Sequence, residues 1–519
     1  MRPVTTRILE VCLLVAILSG CTNEVPSERP NILFCISDDQ SWIHTSALGA
    51  PQLKTPGFDR VANEGVLFNN AYCSAPSCAP SRASILTGRP IYDLEEGGLL
   101  WGGLPKKYDI FSDLLQKSGY DVGFSGKTYG PGNWDDDLYW KESEIMGAEY
   151  MEIHNEVSEE ISSLEYSKNF KEFLNDNQKT GNPFCFWYGS HEPHRGFDHG
   201  VGVANGINAD SVVVPGFLPN DSLMRKDIAD YLYEIQWFDK HLVEMIVMLE
   251  EAGELENTII IVTSDNGMPY PRAKANLYEY GTHMPLAIMW GDKIKGGRTV
   301  DDFTSAIDFA PTILDFAGLE IPEGVTGKSL RKVLESSEDG LIDPERDNVV
   351  TAFERHTYCR PGGLPYPMRA IRKGNWTYIR NFEPDRYPVG HPKFIGATNE
   401  PYGDVDGEII KHHMIDNKDN PGYKELFELG FGKRPLEELY DLSNDQYQMN
   451  NLADNPEFAD IKEKLKNELF EYLTETRDPR MNNESPWDYL PYYGNGTKYA
   501  PRAKLPIEER DTIIGGLMY

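Results

Sequence analysis

Apolar residues gather along this chain in two patterns. One is the short, unbroken run: "NILFCIS" at 31–37, "DVGFSGK" at 121–127, "PFCFWYGS" at 183–190, "TIIIVTS" at 258–264 and "PLAIMWG" at 285–291. Runs of this length, rich in β-branched and aromatic side chains, suit strands covered on both faces. The other is the helical period of "YDIFSDLLQKSGY" (108–120) and "DIADYLYEIQWFDKHLVEMIVMLEEAG" (227–253). Strands alternating with helices predict an α/β fold with a large mixed, mostly parallel sheet sandwiched by helices, over residues 30–345. From about residue 346 the pattern changes. "NVVTAFERHTYC", "MRAIRKGNWTYIRN" and "EELYDLSNDQ" read as short strands with turns, and "PEFADIKEKLKNELFEYLTETR" as a helix. These predict a smaller antiparallel sheet plus helix over 346–478, and a wrapping tail over 479–519.

The N-terminus carries a different signal. Arg2 and Arg7 precede the apolar "ILEVCLLVAILSG", too short to span a bilayer as a mature helix, so residues 1–20 read as a secretory signal peptide. Its end, Leu18-Ser19-Gly20-Cys21, resembles a bacterial lipobox, which makes Cys21 the expected lipidation (palmitate) site of a lipoprotein and residues 21–29 its tether. The expected location is the bacterial cell envelope, with membrane contact through the lipid anchor only.

A formal net charge of −32 and a sequence pI near 4.7 exclude nucleic acid as a partner for the surface as a whole. An anionic substrate would need a locally basic pocket. The seven cysteines are scattered and form no C-x-x-C pair, so neither a disulfide framework nor a zinc site is expected. Cys35 and Cys185 lie inside apolar runs and read as core.

Two apolar runs end in the same way, the first in Asp38-Asp39 and the other in Asp265-Asn266. These four side chains offer oxygen ligands, which suits a hard cation such as Ca2+ or Mg2+. In "CAPSRASILTGR" (78–89), Pro80 suits a first helical turn and Gly88 its end, which sets Cys78 near a helix N-terminus beside Arg82. By residue type alone, Cys78 is a candidate low-pKa thiolate nucleophile.

The same stretch resembles the sulfatase signature C-x-P-S-R-x-x-x-L-T-G-R. The likeness runs from Pro30 to about Asp454 and takes in "SDD", "GK", "SHEPH", "TSDNG" and "LYDLSNDQYQMNNLAD" in family order. Within this formylglycine-dependent family, "SDNGMPYPRAKANLYEYGT", "SHEPHR" and "YPMRAIRKGNWTYIRN" look most like the sulfamidase-like branch, which includes bacterial ulvan-type polysaccharide sulfatases.

The resemblance implies that Cys78 is converted to formylglycine (3-oxoalanine) by a formylglycine-generating or anaerobic maturation enzyme. Its hydrated aldehyde would supply the nucleophilic oxygen. It further implies Ca2+ held by Asp38, Asp39, Asp265 and Asn266 and contacting residue 78, with Arg82 holding the modified side chain. Lys127 and Lys274 would bind sulfate oxygens, and His191 would assist the leaving group. One position departs: Tyr129 stands where most sulfatases place a histidine, so another histidine or Tyr129 itself takes that role, or the step is altered.

The expected reaction is hydrolysis of sulfate esters of a sulfated polysaccharide or oligosaccharide, for example ulvan. The alternatives are N-sulfoglucosamine hydrolysis on heparan-type glycans, phosphodiester or phosphonate hydrolysis, and non-catalytic glycan binding. The pocket is expected to accept a sugar and a carboxylate or second sulfate, with His194, Arg195, His283, His356, Arg360 and Arg369 as candidate substrate-binding residues. The aromatics of "TYIRNFEPDRYPVG" could stack on sugar rings or pack the second domain, and Trp376 is read as core.

Overall fold

The computed structural model describes residues 29–494, apart from 51, 135–136, 156–157 and 491, together with 517–518. The signal peptide, Cys21, the tether up to residue 28 and most of the tail beyond 494 lie outside the described residues. Among the described residues, no helix is long and apolar enough to cross a membrane.

Among the described residues, ten strands form before residue 310: β1 (Asn31–Ser37), β2 (Val66–Phe68), β3 (Ala71–Tyr72), β4 (Asp121–Gly126), β5 (Ala148–Glu149), β6 (Phe184–Gly189), β7 (Thr258–Ser264), β8 (Leu286–Met289), β9 (Arg298–Val300) and β10 (Thr304–Ser305). Eight make one sheet in the order β5-β4-β6-β1-β7-β8-β2-β9, while β3 and β10 pair separately. β1 lies between β6 and β7 and is parallel to both. Only β8 runs against its neighbours, so the sheet is mixed and mostly parallel.

Period 2 along the central strand explains its unbroken apolar run. Ile32, Phe34 and Ile36 face one layer of the core, where Phe34 stacks on Trp187 with ring centroids 4.8 Å apart. Leu33 and Cys35 face the other, against Phe238, Leu242 and Met245 of the long helix Ser222–Ala252. That helix starts five residues earlier than its apolar period indicates, because Asp221 caps it by accepting from the Met224 amide at 2.9 Å. All five described cysteines are free and buried.

The second sheet is antiparallel, β11 (Asn348–Phe353), β12 (Met368–Lys373), β13 (Trp376–Asn381) and β15 (Glu437–Asp441), in that order. Between them, β14 (Phe394–Ile395) pairs with β16 (Leu517–Met518). Helix Ala459–Glu475 covers the four-stranded sheet with Leu465, Leu469 and Leu473, spaced four apart on one face and clustered with Ile371, Tyr378 and Leu439. Trp376 packs against this cluster and tilts onto Phe458 at 5.6 Å, as core packing requires.

Arg369 on β12 ties the sheet to the segment after that helix. Fully buried, it pairs with Glu354 at 2.8 Å and Asp478 at 2.5 Å, and Arg480 reaches Glu354 at 2.7 Å. The expectation that Arg369 binds substrate is thereby corrected: its guanidinium is spent on two buried carboxylates. Arg369→Met would strand those carboxylates without their main counter-charge, and loss of one partner of a buried pair costs about 3–5 kcal/mol. Urea denaturation should show a loss of that order, and a loss below about 1 kcal/mol would refute this account.

Candidate active site

Parallel neighbours bring their carboxyl ends to one edge of a sheet, which is where open α/β sheets bind ligands. Here β1 delivers Asp38 and Asp39, β7 delivers Asp265 and Asn266, β4 delivers Lys127, and β6 leads into His191 and His194. The turns are fixed by backbone bonds, from Asp265 N to Ser37 O at 3.2 Å and from Lys127 N to Gly189 O at 2.7 Å. Gly126 has φ +85°, and a Cβ there would lie 2.0 Å from Gly189 O, so the "GK" turn needs its glycine. Asp39 also takes a positive φ, 72°, a conformation aspartate tolerates better than most residues.

The helix Cys78–Thr87 points its N-terminus into this edge. All ten of its residues are buried, and Gly88 closes it at φ 69° by donating to Ser84 O. No side chain caps its first turn, since Ser77 Oγ is engaged instead with His356 Nδ1 at 2.8 Å. Cys78 Sγ lies 3.3 Å from Asp38 Oδ1 and 3.9 Å from Asp39 Oδ1. Arg82, four residues on and on the same helix face, donates from Nε to Asp265 Oδ2 at 2.7 Å and from Nη1 to the carbonyls of Lys127 and Thr128. Its Nη2 has no hydrogen-bond partner among the described residues and lies 4.0 Å from Asp38 Oδ1.

Lys127 pairs with Asp38, and Lys274 with Asp39 at 2.6 Å and Asp406 at 3.2 Å. Burial opposes ionisation of Asp38, but Lys127, Arg82 and Lys274 outweigh it and hold the carboxyl well below the usual range. Asp265 is pushed up to about 6 by burial and by Asp38, despite Arg82. Four carboxyls thus crowd against three permanent cations.

The donor set fits a hard cation. Oxygens of Asp38, Asp39 and Asp265 lie within 4.8 Å of one another on fully buried side chains. Asn266 donates to Asp39 Oδ1 at 2.6 Å while its own Oδ1, buried, has no partner. An all-oxygen group of three carboxylates and one unsatisfied amide oxygen matches Ca2+ or Mg2+ chemistry.

The reading of Cys78 as a low-pKa thiolate is corrected. Burial and the Asp38 carboxylate push its thiol well above its ordinary value, and Lys127 and Lys274 offset this only in part. The helix N-terminus contributes only about half a unit charge, less than the adjacent carboxylate. An unmodified Cys78 is therefore a protonated, weak nucleophile at neutral pH.

Of the two histidines in "SHEPH", His194 is the one brought to Cys78. Its ring nitrogen, Cys78 Sγ and an Asp38 oxygen lie within 4.8 Å of one another, and its Nε2 is 3.0 Å from Lys274 Nζ. Its Nδ1 sits 2.5 Å from Arg195 O, an acceptor, so Nδ1 carries the hydrogen and Nε2 is left to accept. His191 lines the adjoining cavity. Tyr129 is fully buried, packs edge-on to Trp134 and donates its hydroxyl to Gly102 O at 3.0 Å. It belongs to the core and does not replace the missing histidine.

Several candidate substrate-binding residues are committed elsewhere. Arg195 touches the cavity, but its guanidinium is paired with Asp227 at 2.5 Å and flanked by Phe197 and Tyr270. His283 is held between Trp42 and Tyr72 and bonds Glu279 and Asn69 O. Arg360 is tied to Asp404 and Tyr387 O. His356 adjoins the site through Ser77 and is kept neutral, its value lowered to about 4 by burial. Asp406 was not foreseen, because its loop carries no motif. Only the fold brings it to Lys274.

Known proteins share both sequence and architecture with this chain. The family model described as "Sulfatase" matches residues 30–319. An ulvan-active sulfatase of Formosa agariphila is 28% identical over 94% of this chain and 89% of its own length. Human N-sulphoglucosamine sulphohydrolase is 27% identical over 90% of this chain and 94% of its own. Among solved structures, BT4656 in complex with its substrate D-glucosamine-2-N,6-O-disulfate superimposes with TM-score 0.62 at 20% identity, covering 88% of this chain and 100% of the other. With a family model covering more than half its length, and the Cys78 helix facing the Asp38, Asp39 and Asp265 carboxylates, the chain belongs to the sulfatase family of sulfuric ester hydrolases.

Proposed function

We propose that this sulfatase removes sulfate from a sulfated polysaccharide or its oligosaccharides, with ulvan-type material as the type case, using formylglycine made from Cys78 and Ca2+ bound by Asp38, Asp39, Asp265 and Asn266. The observation that carries this reading is the convergence of Cys78, Arg82, Lys127, Lys274 and His194 on one buried carboxylate cluster. The ulvan-active and N-sulphoglucosamine-cleaving relatives support a glycan substrate. A divalent cation added to four carboxylates and three basic side chains leaves the site one charge positive, which complements a singly charged sulfate ester.

When bound, the cation would polarise a sulfate oxygen, and the hydrated aldehyde of residue 78 would supply the attacking oxygen. Arg82 fixes the helix to the Asp265 and Lys127 turns and offers its free Nη2 to residue 78. Lys127 and Lys274 neutralise sulfate oxygens as charge grows in the transition state. His194, whose Nε2 is freed as an acceptor when Lys274 turns to a sulfate oxygen, takes a proton from a hydroxyl at residue 78, the task the family gives to the histidine replaced here by Tyr129. His191, on the cavity wall, serves the leaving group. The leader and lipobox support an envelope lipoprotein anchored through Cys21 and matured by a formylglycine-forming enzyme. The human relative favours a second reading, cleavage of an S–N bond.

Co-expression with a maturation enzyme should give, by peptide mass spectrometry, formylglycine at position 78, and Cys78→Ala should abolish sulfate release. A cysteine that stays unmodified in an active protein would sink the nucleophile assignment. His194→Ala should lower kcat by about 100-fold or more, whereas Tyr129→Phe should stay within about threefold of wild type because it removes only a core hydrogen bond. Equal losses in the two variants would reverse these roles. Exhaustive chelation should stop sulfate release from both O-sulfated and N-sulfated glucosamine, and Ca2+ should restore it. Activity that survives chelation would remove the cation from the reaction, and the substrate that the Ca2+-loaded enzyme turns over faster tells S–O from S–N cleavage.

A further inference from the structure

One cavity, of about 620 Å³, opens onto the catalytic cluster. Besides Asp38, Lys127, Glu192 and the two histidines, its wall carries Glu142, Glu160 and Glu234. Among the described residues these three glutamates form no ion pair, while the cavity's Lys127 and Arg195 are already matched to Asp38 and Asp227. Glu142 and Glu160 are exposed. Glu234, on the long helix Ser222–Ala252, is different: it is 1% exposed, and its Oε1 has no hydrogen-bond partner among the described residues. A buried polar atom left unsatisfied costs about 1–3 kcal/mol, so such a group beside a catalytic cluster marks a place where a ligand supplies the bond.

The surroundings of Glu234 also set its form. Burial and the neighbouring Glu192, Asp198 and Asp230 push its carboxyl well above the usual range, with Arg195 opposing. The shift favours the protonated carboxyl, which can donate one hydrogen bond and accept another, as sugar hydroxyls require.

We propose that Glu234 recognises a hydroxyl of the sulfated sugar ring, and that this cavity takes sugars whose only negative charge is the sulfate being removed. The inference rests on the glycan-sulfatase reading and names the substrate class of that site. A uronate carboxylate or second sulfate would meet Glu142 and Glu160 with no uncommitted arginine or lysine on the wall, and like charges placed together reject such a partner. The earlier expectation of a pocket for an additional anion is thereby reversed, for the reason that made Arg195, Arg360 and Arg369 unavailable.

Binding rather than turnover tests this, so that its failure is separate from failure of the reaction. The Cys78→Ala full-length protein with Ca2+ is titrated calorimetrically with N-acetylglucosamine 6-sulfate and glucose 6-sulfate as singly charged probes. Glucosamine N,6-disulfate and glucuronic acid 2-sulfate are the doubly charged probes. The better singly charged probe should bind at least tenfold tighter than either doubly charged one. On the same background, Glu234→Leu should weaken it about tenfold, and Glu234→Gln, which keeps a donor and an acceptor, should stay within about threefold. A doubly charged probe bound as tightly, no binding by any probe, or equal losses in the Gln and Leu variants would each overturn the proposal. Sulfate release by the matured wild-type protein reports independently on the reading beneath it.

Discussion

The site depends on holding like charges together on buried side chains. Asp38, Asp39 and Asp265 present oxygens within 4.8 Å of one another on buried side chains, and Asp406 joins them through Lys274. Two unit charges about 4 Å apart repel by about 4 kcal/mol at an effective dielectric near 20, so such a cluster stands only if counter-charges are fixed around it. Arg82, Lys127 and Lys274 are those counter-charges, and the fold is arranged to hold them rigidly. Arg82 is spent on Asp265 and two backbone carbonyls, and Lys127 emerges from a glycine turn that admits no side chain.

The third cation comes at greater structural expense. Lys274 sits between Arg272 and Ala275, both at positive φ, in a loop pinned by Ala275 N to Pro76 O and by Arg272 to the carbonyls of Leu429 and Gln448. Backbone held in such regions costs about 1–3 kcal/mol per residue and persists only where surroundings enforce it. Residues beyond the large sheet thus do more than cover it. They brace the loop that carries Lys274 and supply Asp406 as its second partner.

What the sequence disclosed follows the same division between local and long-range causes. β1, β7 and the Cys78 helix were legible because each is a local pattern, an apolar run ending in carboxylates or a Pro-opened, Gly-closed turn of helix. The placement of Asp38 beside Asp265 followed from parallel pairing alone. The choice between His191 and His194 was not legible, since three residues of loop decide which ring faces Cys78. Nor was the commitment of Arg195, Arg360 and Arg369, whose partners Asp227, Asp404 and Asp478 lie 32, 44 and 109 positions away. Tyr129 looked like a substitution in the chemistry because only its neighbours in space, Gly102 and Trp134, show that it belongs to the core.

The burial of the signature helix has a consequence for the order of events in the life of the chain. Every residue from Cys78 to Thr87 is buried, and Cys78 itself is 2% exposed, beneath turns locked by Arg82 and the strand ends. Another protein acting on this side chain would have to reach it through the residues that cover it. Chemistry by another protein at position 78 therefore requires this edge of the sheet to be open.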